Sequence, residues 1–282
     1  MEALMSYRDI LVLTESTPAG AYRAQFAADL ARRWKAHLTG VFLTSEFMLQ
    51  FGAGEALYGL PPDDIDRLLR DHAKTVEAAS EEARRQFEGA AREAGAESDF
   101  INASGDDPQA FIACARRADL VVMPRRLDVY MGQRHVAAAD VALACGGPVL
   151  VTPADDYAAP GGRRILVAWN GSREAARALR DGWPFIEAAE EVHVLIVSPT
   201  GEGGPDGMLQ RLLERHGVTA NVILDASRDE HAADVIERQM AEFDIDLLIA
   251  GVYGHARLQE LVLGGVSRQL LHDMPAPLLM SH

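Results

Sequence analysis

Residues 244–267 read DIDLLIAGVYGHARLQELVLGGVS. Four aliphatic residues, Leu247–Ala250, run into Gly251; Gly254 follows, and Gly264-Gly265 comes nine residues later. This order predicts a buried strand, a loop that a ligand can approach closely, and a helix opened by glycine. Glycine adopts positive φ and removes the Cβ that would keep another molecule away. Successive backbone N–H groups can then point into one concavity and hold an anion. A helix beginning at 264–267 would turn its free N–H groups and the positive end of its dipole to the same place. Ser267 adds a hydroxyl, and His255 and Arg257 lie in the intervening loop, where either could meet a phosphate. Glycines that serve only turns are the ordinary alternative. The pattern is not a Walker loop, because no Gly-Lys-Ser/Thr follows, nor a dinucleotide fingerprint, which needs Gly-x-Gly-x-x-Gly after a first strand.

The elements that must position this loop occur twice. DILVLTEST (9–17) matches RILVAWNGS (164–172), DLVVM (119–123) matches DLLIA (246–250), and ACGGPVLVTP (144–153) matches DMPAPLLMSH (273–282). In the first half the pattern predicts strands at 9–14, 38–44, 98–103, 120–123 and 148–152, with helices at 19–35, 63–94, 106–117 and 136–144. In the second it predicts strands at 164–168, 192–197, 218–224, 247–250 and 277–280. The helices there fall at 172–187, ending around Trp183-Pro184, at 208–217, at 229–243, capped by Ser227 or Asp229, and at 265–273. Strands alternating with helices imply parallel sheets covered on both faces, whose ligands bind beyond the carboxyl ends of the strands. The expected domains are 1–153 and 163–282, joined by the turn-rich linker PADDYAAPGG.

Composition narrows the function. The chain has 282 residues, 48% of them apolar, enough for two domains of common size. Its formal net charge is −15, from 27 basic and 42 acidic residues, and neither half offers a polyanion a strongly positive face. Nucleic-acid binding is therefore disfavoured. No run of 18 apolar residues is present to span a membrane. The N-terminus lacks the basic segment of a secretory signal. Cys114 and Cys145 have neither metal nor redox spacing. They are expected to be reduced core thiols, and the protein to be cytoplasmic.

The loop Gly251-x2-Gly254-x9-Gly264-Gly265-Val266-Ser267, followed by RQLLHDMPAPLLM, resembles the universal stress protein family. Nucleotide-binding members of that family carry Gly-x2-Gly-x9-Gly-Ser/Thr before a helix and a final strand. WNGS at 169–172 is similar to the family's first-strand loop, usually Asp-Gly-Ser. The resemblance covers Tyr7–Pro153 and Arg163–His282 as a tandem pair, and in the first half rests mainly on strand order. It implies an α/β fold of two open, parallel five-stranded sheets with flanking helices, adenine nucleotide alpha hydrolase-like with flavodoxin-like layering. It also implies pairing of 149–152 with 278–281, which would make an intramolecular pseudo-dimer able to form a homodimer.

By position, the resemblance further implies an ATP- or AMP-like ligand in the second half, with Mg2+ accompanying the nucleotide, and a role in stress signalling. Ala168, Trp169 and Asn170 would border the adenine, and Val197 the base or ribose. Ala250, Gly251, Tyr253 and Gly254 would line the ribose and first phosphates, and Gly264, Gly265, Val266 and Ser267 would hold the outer phosphates. Asn170 stands where the family has aspartate, and Gly265 where it has Ser/Thr. Each lost hydrogen bond is worth about 1 kcal/mol. In the first half Pro124, which has no N–H, occupies the position of Gly251, and Glu15 would repel phosphate. No nucleotide is expected there. Arg125, Arg126, Arg134 and His135 fall where the cradle would be and could bind another anion or pair with Asp128 and Asp140.

No acid–base pair or nucleophile elbow supports catalysis, which leaves slow ATP hydrolysis as an alternative carried by the resemblance alone. Asp63, Asp64 and Asp66 are explained as first-turn acids rather than metal ligands. The apolar insertion at 45–62, with Phe47, Met48, Leu49, Phe51, Leu57, Tyr58 and Leu60, is either self-packed or a lid or contact surface. The second alternative is therefore a nucleotide-free interaction module.

Overall fold

The computed structural model describes residues 6–44, 61–104, 108–128, 135–153, 161–198, 207–227, 231–252 and 276–282. The insertion at 45–60, the linker at 154–160 and residues 253–275, where a loop and a helix are expected, lie outside the described residues. By packing the chain divides into Arg8–Val141 and a second unit that takes in Tyr7 and Ala142–His282. No helix among the described residues is long and apolar enough to cross a membrane.

In the first unit β1 (Asp9–Thr14), β2 (His37–Thr44), β3 (Ser98–Ser104) and β4 (Leu120–Pro124) form parallel strands in the order β4-β1-β2-β3. Ile10–Thr14 are all buried, as an apolar run covered on both faces must be. Helix α1 (Pro18–Trp34) opens on Thr17, whose hydroxyl accepts from the Gly20 N–H at 3.0 Å, with Pro18 in its first turn. Its buried face is alanine-rich, with Ala24, Ala27, Ala28 and Ala31, and ends at Lys35 in the left-handed region (φ 55°). Helix α2 (Pro62–Ala94) buries its C-terminal half, where Phe87 lies flat over Gly40. Helix α3 (Pro108–Ala115) leads to β4.

One expectation here is corrected. Residues 135–137 are not helical. They form β6 (His135–Ala137), antiparallel to β5 (Arg126–Asp128), and the helix starts only at α4 (Ala138–Cys145). Leu127, half-buried, stands opposite the buried Val136, a pattern too short to register as alternation in sequence.

The second unit contains β7 (Val149–Thr152), β8 (Arg164–Ala168), β9 (Glu191–Val197), β10 (Ala220–Asp225), β11 (Leu247–Gly251) and β12 (Leu278–Ser281), in the order β10-β9-β8-β11-β12-β7. The five strands β8–β12 are parallel, and β7 runs antiparallel to β12, with Leu150 opposite Leu279. This is the expected pairing of the two final strands.

The helix expected at 172–187 is two helices. Helix α5 (Arg173–Asp181) ends at Gly182, and α6 (Trp183–Ala188) begins there with Pro184 in its first turn. Proline therefore starts the second helix rather than ending the first. Gly182 itself packs on Ile249, whose Cδ1 lies 2.7 Å from where a Cβ would stand. Helix α7 (Gly207–Arg215) is short, as expected. Helix α8 (Ala232–Glu242) starts after His231, which makes no side-chain cap, and Asp229, one of the two expected caps, lies outside the described residues. Ser227 instead donates its N–H to Asp225.

Candidate functional site

The chain leaves β8 to build β9 and β10 on one side, then crosses back to build β11 on the other. This reversal opens a crevice at the carboxyl ends of β8 and β11, where ligands of open α/β sheets bind. Ala168 is in register with Ala250 on one side and Leu195 on the other. The tips are accessible: Ala168, Trp169, Val197 and Gly251 are half-buried and Asn170 is exposed, while Ala250 is buried. The structure thus gathers the six described residues of the expected site at one end of the sheet. Tyr253, Gly254, Gly264, Gly265, Val266 and Ser267 lie outside the described residues, as do His255 and Arg257.

The loop after β8 is tied down locally. Trp169 donates its N–H to Leu195 O at 2.9 Å. Asn170 Oδ1 accepts from the Ser172 N–H at 3.0 Å, closing an Asx turn around Gly171, whose φ is +72°. Ser172 then caps α5, its Oγ accepting from the Ala175 N–H at 3.1 Å. An aspartate at 170 could make the same turn. The amide differs in bringing Nδ2–H donors in place of a second acceptor, and Nδ2 has no partner among the described residues.

Gly251 meets the start of α5 directly. A Cβ there would lie 2.3 Å from Glu174 C and 2.4 Å from Ala175 N. The close approach that glycine allows at this position is therefore that of α5. Glu174, which the sequence reading did not single out, is only 6% exposed. Burial opposes its ionisation, but its own amide N–H, Arg173 and His282 outweigh that cost and hold the carboxyl below the usual range. An acid two residues after a capping serine was the available signal. His282 Nδ1 lies 3.1 Å from Val252 O, and the buried Ser281 Oγ has no hydrogen-bond partner among the described residues.

For an adenine nucleotide, the described residues fit the nucleoside end. Half-buried strand tips and the exposed Asn170, whose Oδ1 is engaged by the Ser172 N–H, stand at this end of the sheet, and the residues expected to hold phosphates lie at 253–267. Among the described residues no group of three or more His, Cys, Asp or Glu could hold a metal ion.

The first-half counterpart is filled. Glu15 pairs with Arg23 at 2.7 Å, and Arg23, 3% exposed, also donates to Leu13 O at 3.1 Å. Burial lowers the Arg23 pKa, and Glu15 opposes that shift. Arg125 and Arg126 are exposed on β5 and the residue before it, and Arg134 lies outside the described residues. In α2, Asp64 pairs with Arg67 at 2.9 Å in the first turn.

Residues 162–282 match the model of the Universal stress protein family. The second half of this chain is a universal stress protein domain. A universal stress protein of Synechocystis sp. is 28% identical over 137 residues. That match takes in 47% of this chain and 46% of the relative, so the chain spans about half the length of the curated relative it matches. A universal stress protein from Archaeoglobus fulgidus has the same fold along the chain, with a TM-score of 0.70 at 17% identity, covering 96% of this chain and 97% of that one. A putative universal stress protein from Pseudomonas aeruginosa gives 0.55 at 18% identity, covering 98% and 93%.

Proposed function

We propose that the second half binds an adenine nucleotide in the crevice beyond β8, β9 and β11, and that the protein acts as a binding and signalling component of a stress response. The observation that carries this reading is the topological switch between β8 and β11, with accessible tips and a structured loop between them. Asn170 keeps its loop conformation with Oδ1 and presents Nδ2 as a donor to the acceptor nitrogens of an adenine edge. Ala168, Trp169 and Val197 supply apolar contact to the base, and the glycines at 254, 264 and 265 supply backbone N–H groups to phosphates. The family resemblance of residues 162–282 points the same way. The first half, with its Glu15–Arg23 pair and Pro124, takes no nucleotide of this kind.

Calorimetric titration of the full chain with ATP, ADP and AMP tests the reading. One site per chain is expected, with quenching of Trp169 fluorescence and at least tenfold loss of affinity in Val197→Trp. Absence of binding by all three nucleotides, or binding that Val197→Trp leaves unchanged, would overturn it.

A further inference from the structure

The first unit carries a cavity that the nucleotide reading does not use. It measures about 470 Å3 and lies where α1 and α2 end and β2 and β3 begin, with Arg32, Lys35, His37, Gly95 and Glu97 in its lining beside small alanines. That volume falls within the range of small-molecule sites. Every lining residue belongs to Arg8–Val141.

The two helix ends are built alike except at one residue. Each closes on a residue in the left-handed region, Lys35 (φ 55°) in α1 and Gly95 (φ 68°) in α2. The Ala36 N–H returns to Ala31 O and the Ala96 N–H to Ala91 O, both at 2.9 Å. Glycine is the ordinary residue at such a cap, because a Cβ strains the left-handed backbone. Lys35 carries that strain where Gly95 avoids it, and lysine occurs at only one other of the 27 basic positions, Lys74. Strained backbone of this kind gathers at binding sites.

The charges around the cavity are unevenly satisfied. Arg32 pairs with Asp29 at 2.8 Å, and His37 Nε2 stands 3.1 Å from Asp99 Oδ2. Lys35 and Glu97 are both exposed, and their side chains make no ion pair or hydrogen bond to each other or to any other described residue. The cavity therefore has one uncommitted cation and one uncommitted anion. The two helix C-termini add partial negative charge, which sets it against phosphates and other polyanions. A molecule with one charge of each sign is matched at both ends.

We propose that this cavity binds a small zwitterion, a free α-amino acid with an apolar side chain, its carboxylate toward Lys35 and its ammonium toward Glu97. The alanines leave room for the apolar side chain.

The test is an amide-resolved NMR titration of the full chain with L-leucine and with two analogues that each lack one charge, 4-methylpentanoate and 3-methylbutylamine. L-Leucine should shift the amides of Lys35, Ala36, Gly95 and Glu97, and each analogue should bind about three- to fivefold more weakly, as the loss of one solvent-exposed ion pair requires. Lys35→Gln should weaken L-leucine and 4-methylpentanoate by a similar factor and leave 3-methylbutylamine unchanged. Glu97→Gln should weaken L-leucine and 3-methylbutylamine and leave 4-methylpentanoate unchanged. Both side chains are exposed, so neither change disturbs the packing. Absence of amide shifts at tens of millimolar L-leucine would overturn the proposal. So would analogues that bind as tightly as L-leucine, or variants that weaken all three ligands alike or none.

Discussion

Gly251, the last residue of β11, lies backbone to backbone against Glu174 in the first turn of α5, leaving 2.3 Å between the Glu174 carbonyl carbon and the site of any Cβ. Neither neighbour is the flexible end of a side chain, so relief requires moving the helix or the strand. Gly251→Ala is expected to cost about 1–3 kcal/mol, read as a lower urea midpoint. Gly89→Ala is its counterpart: nothing lies within 4 Å of a Cβ there, inside the C-terminal part of α2. Removing a helix-interior glycine should stabilise by about 0.5–1 kcal/mol. Equal midpoints for the two variants would refute this reading of Gly251.

The Glu15–Arg23 pair makes an asymmetric prediction. Arg23 is 3% exposed and the Glu15 side chain 21%. Glu15→Gln removes the counter-charge of a buried guanidinium and should cost about 3 kcal/mol. Arg23→Met leaves a carboxylate that water can reach and replaces the cation with an apolar chain of similar length, so it should cost less. Chemical denaturation of both variants measures the order, and a larger loss in Arg23→Met would contradict the burial argument.

What could be read in advance follows the same division between local pattern and tertiary register. Most strands were legible because they are aliphatic runs between turn residues, and DLVVM recurs as DLLIA in the second half, whereas the three-residue strands β5 and β6 carry no such run. The end of α5 near Trp183-Pro184 was legible from the proline, but the second helix α6 that starts there was not, nor was the packing of Gly182 on Ile249 of a distant strand, 2.7 Å from the missing Cβ. Gly251 was legible as a glycine that something approaches, but sequence could not tell a ligand from the start of α5. Arg23 looked like any arginine of an amphipathic helix. Only the fold over Gly20 brings Glu15 to it.

The β7–β12 pairing predicts what a shortened chain does. Residues 161–282 alone keep β8–β12 but lose the antiparallel partner of Leu278–Met280, leaving β12 as an apolar edge with unpaired N–H and C=O groups. They also lose Tyr7, whose ring packs on Phe185 with centroids 5.8 Å apart and whose hydroxyl donates to Asp181 O. This fragment is expected to self-associate at micromolar concentration by light scattering. A stable monomer would show that β12 tolerates an open edge.

Asp225, at the end of β10, gives the stability a pH dependence. Ser227 contributes most to holding its carboxyl below the usual range, through side chain and backbone, with Arg238 adding to it and burial opposing. The bonds are Ser227 N–H to Oδ1 at 2.9 Å and Arg238 Nη2 to Oδ2 at 2.8 Å. Because the folded pKa lies below the unfolded one, the stabilisation is fully present above the unfolded value of about 4 and is lost as pH falls through the folded value. Asp225→Asn should therefore cost about 1–2 kcal/mol at pH 7 and nearly nothing near pH 2. Glu174 shifts in the same direction, so the variant keeps part of its acid sensitivity. Urea midpoints measured from pH 7 down to pH 2 should show wild type and variant converging. Parallel curves would mean that Asp225 titrates alike in the folded and unfolded chain.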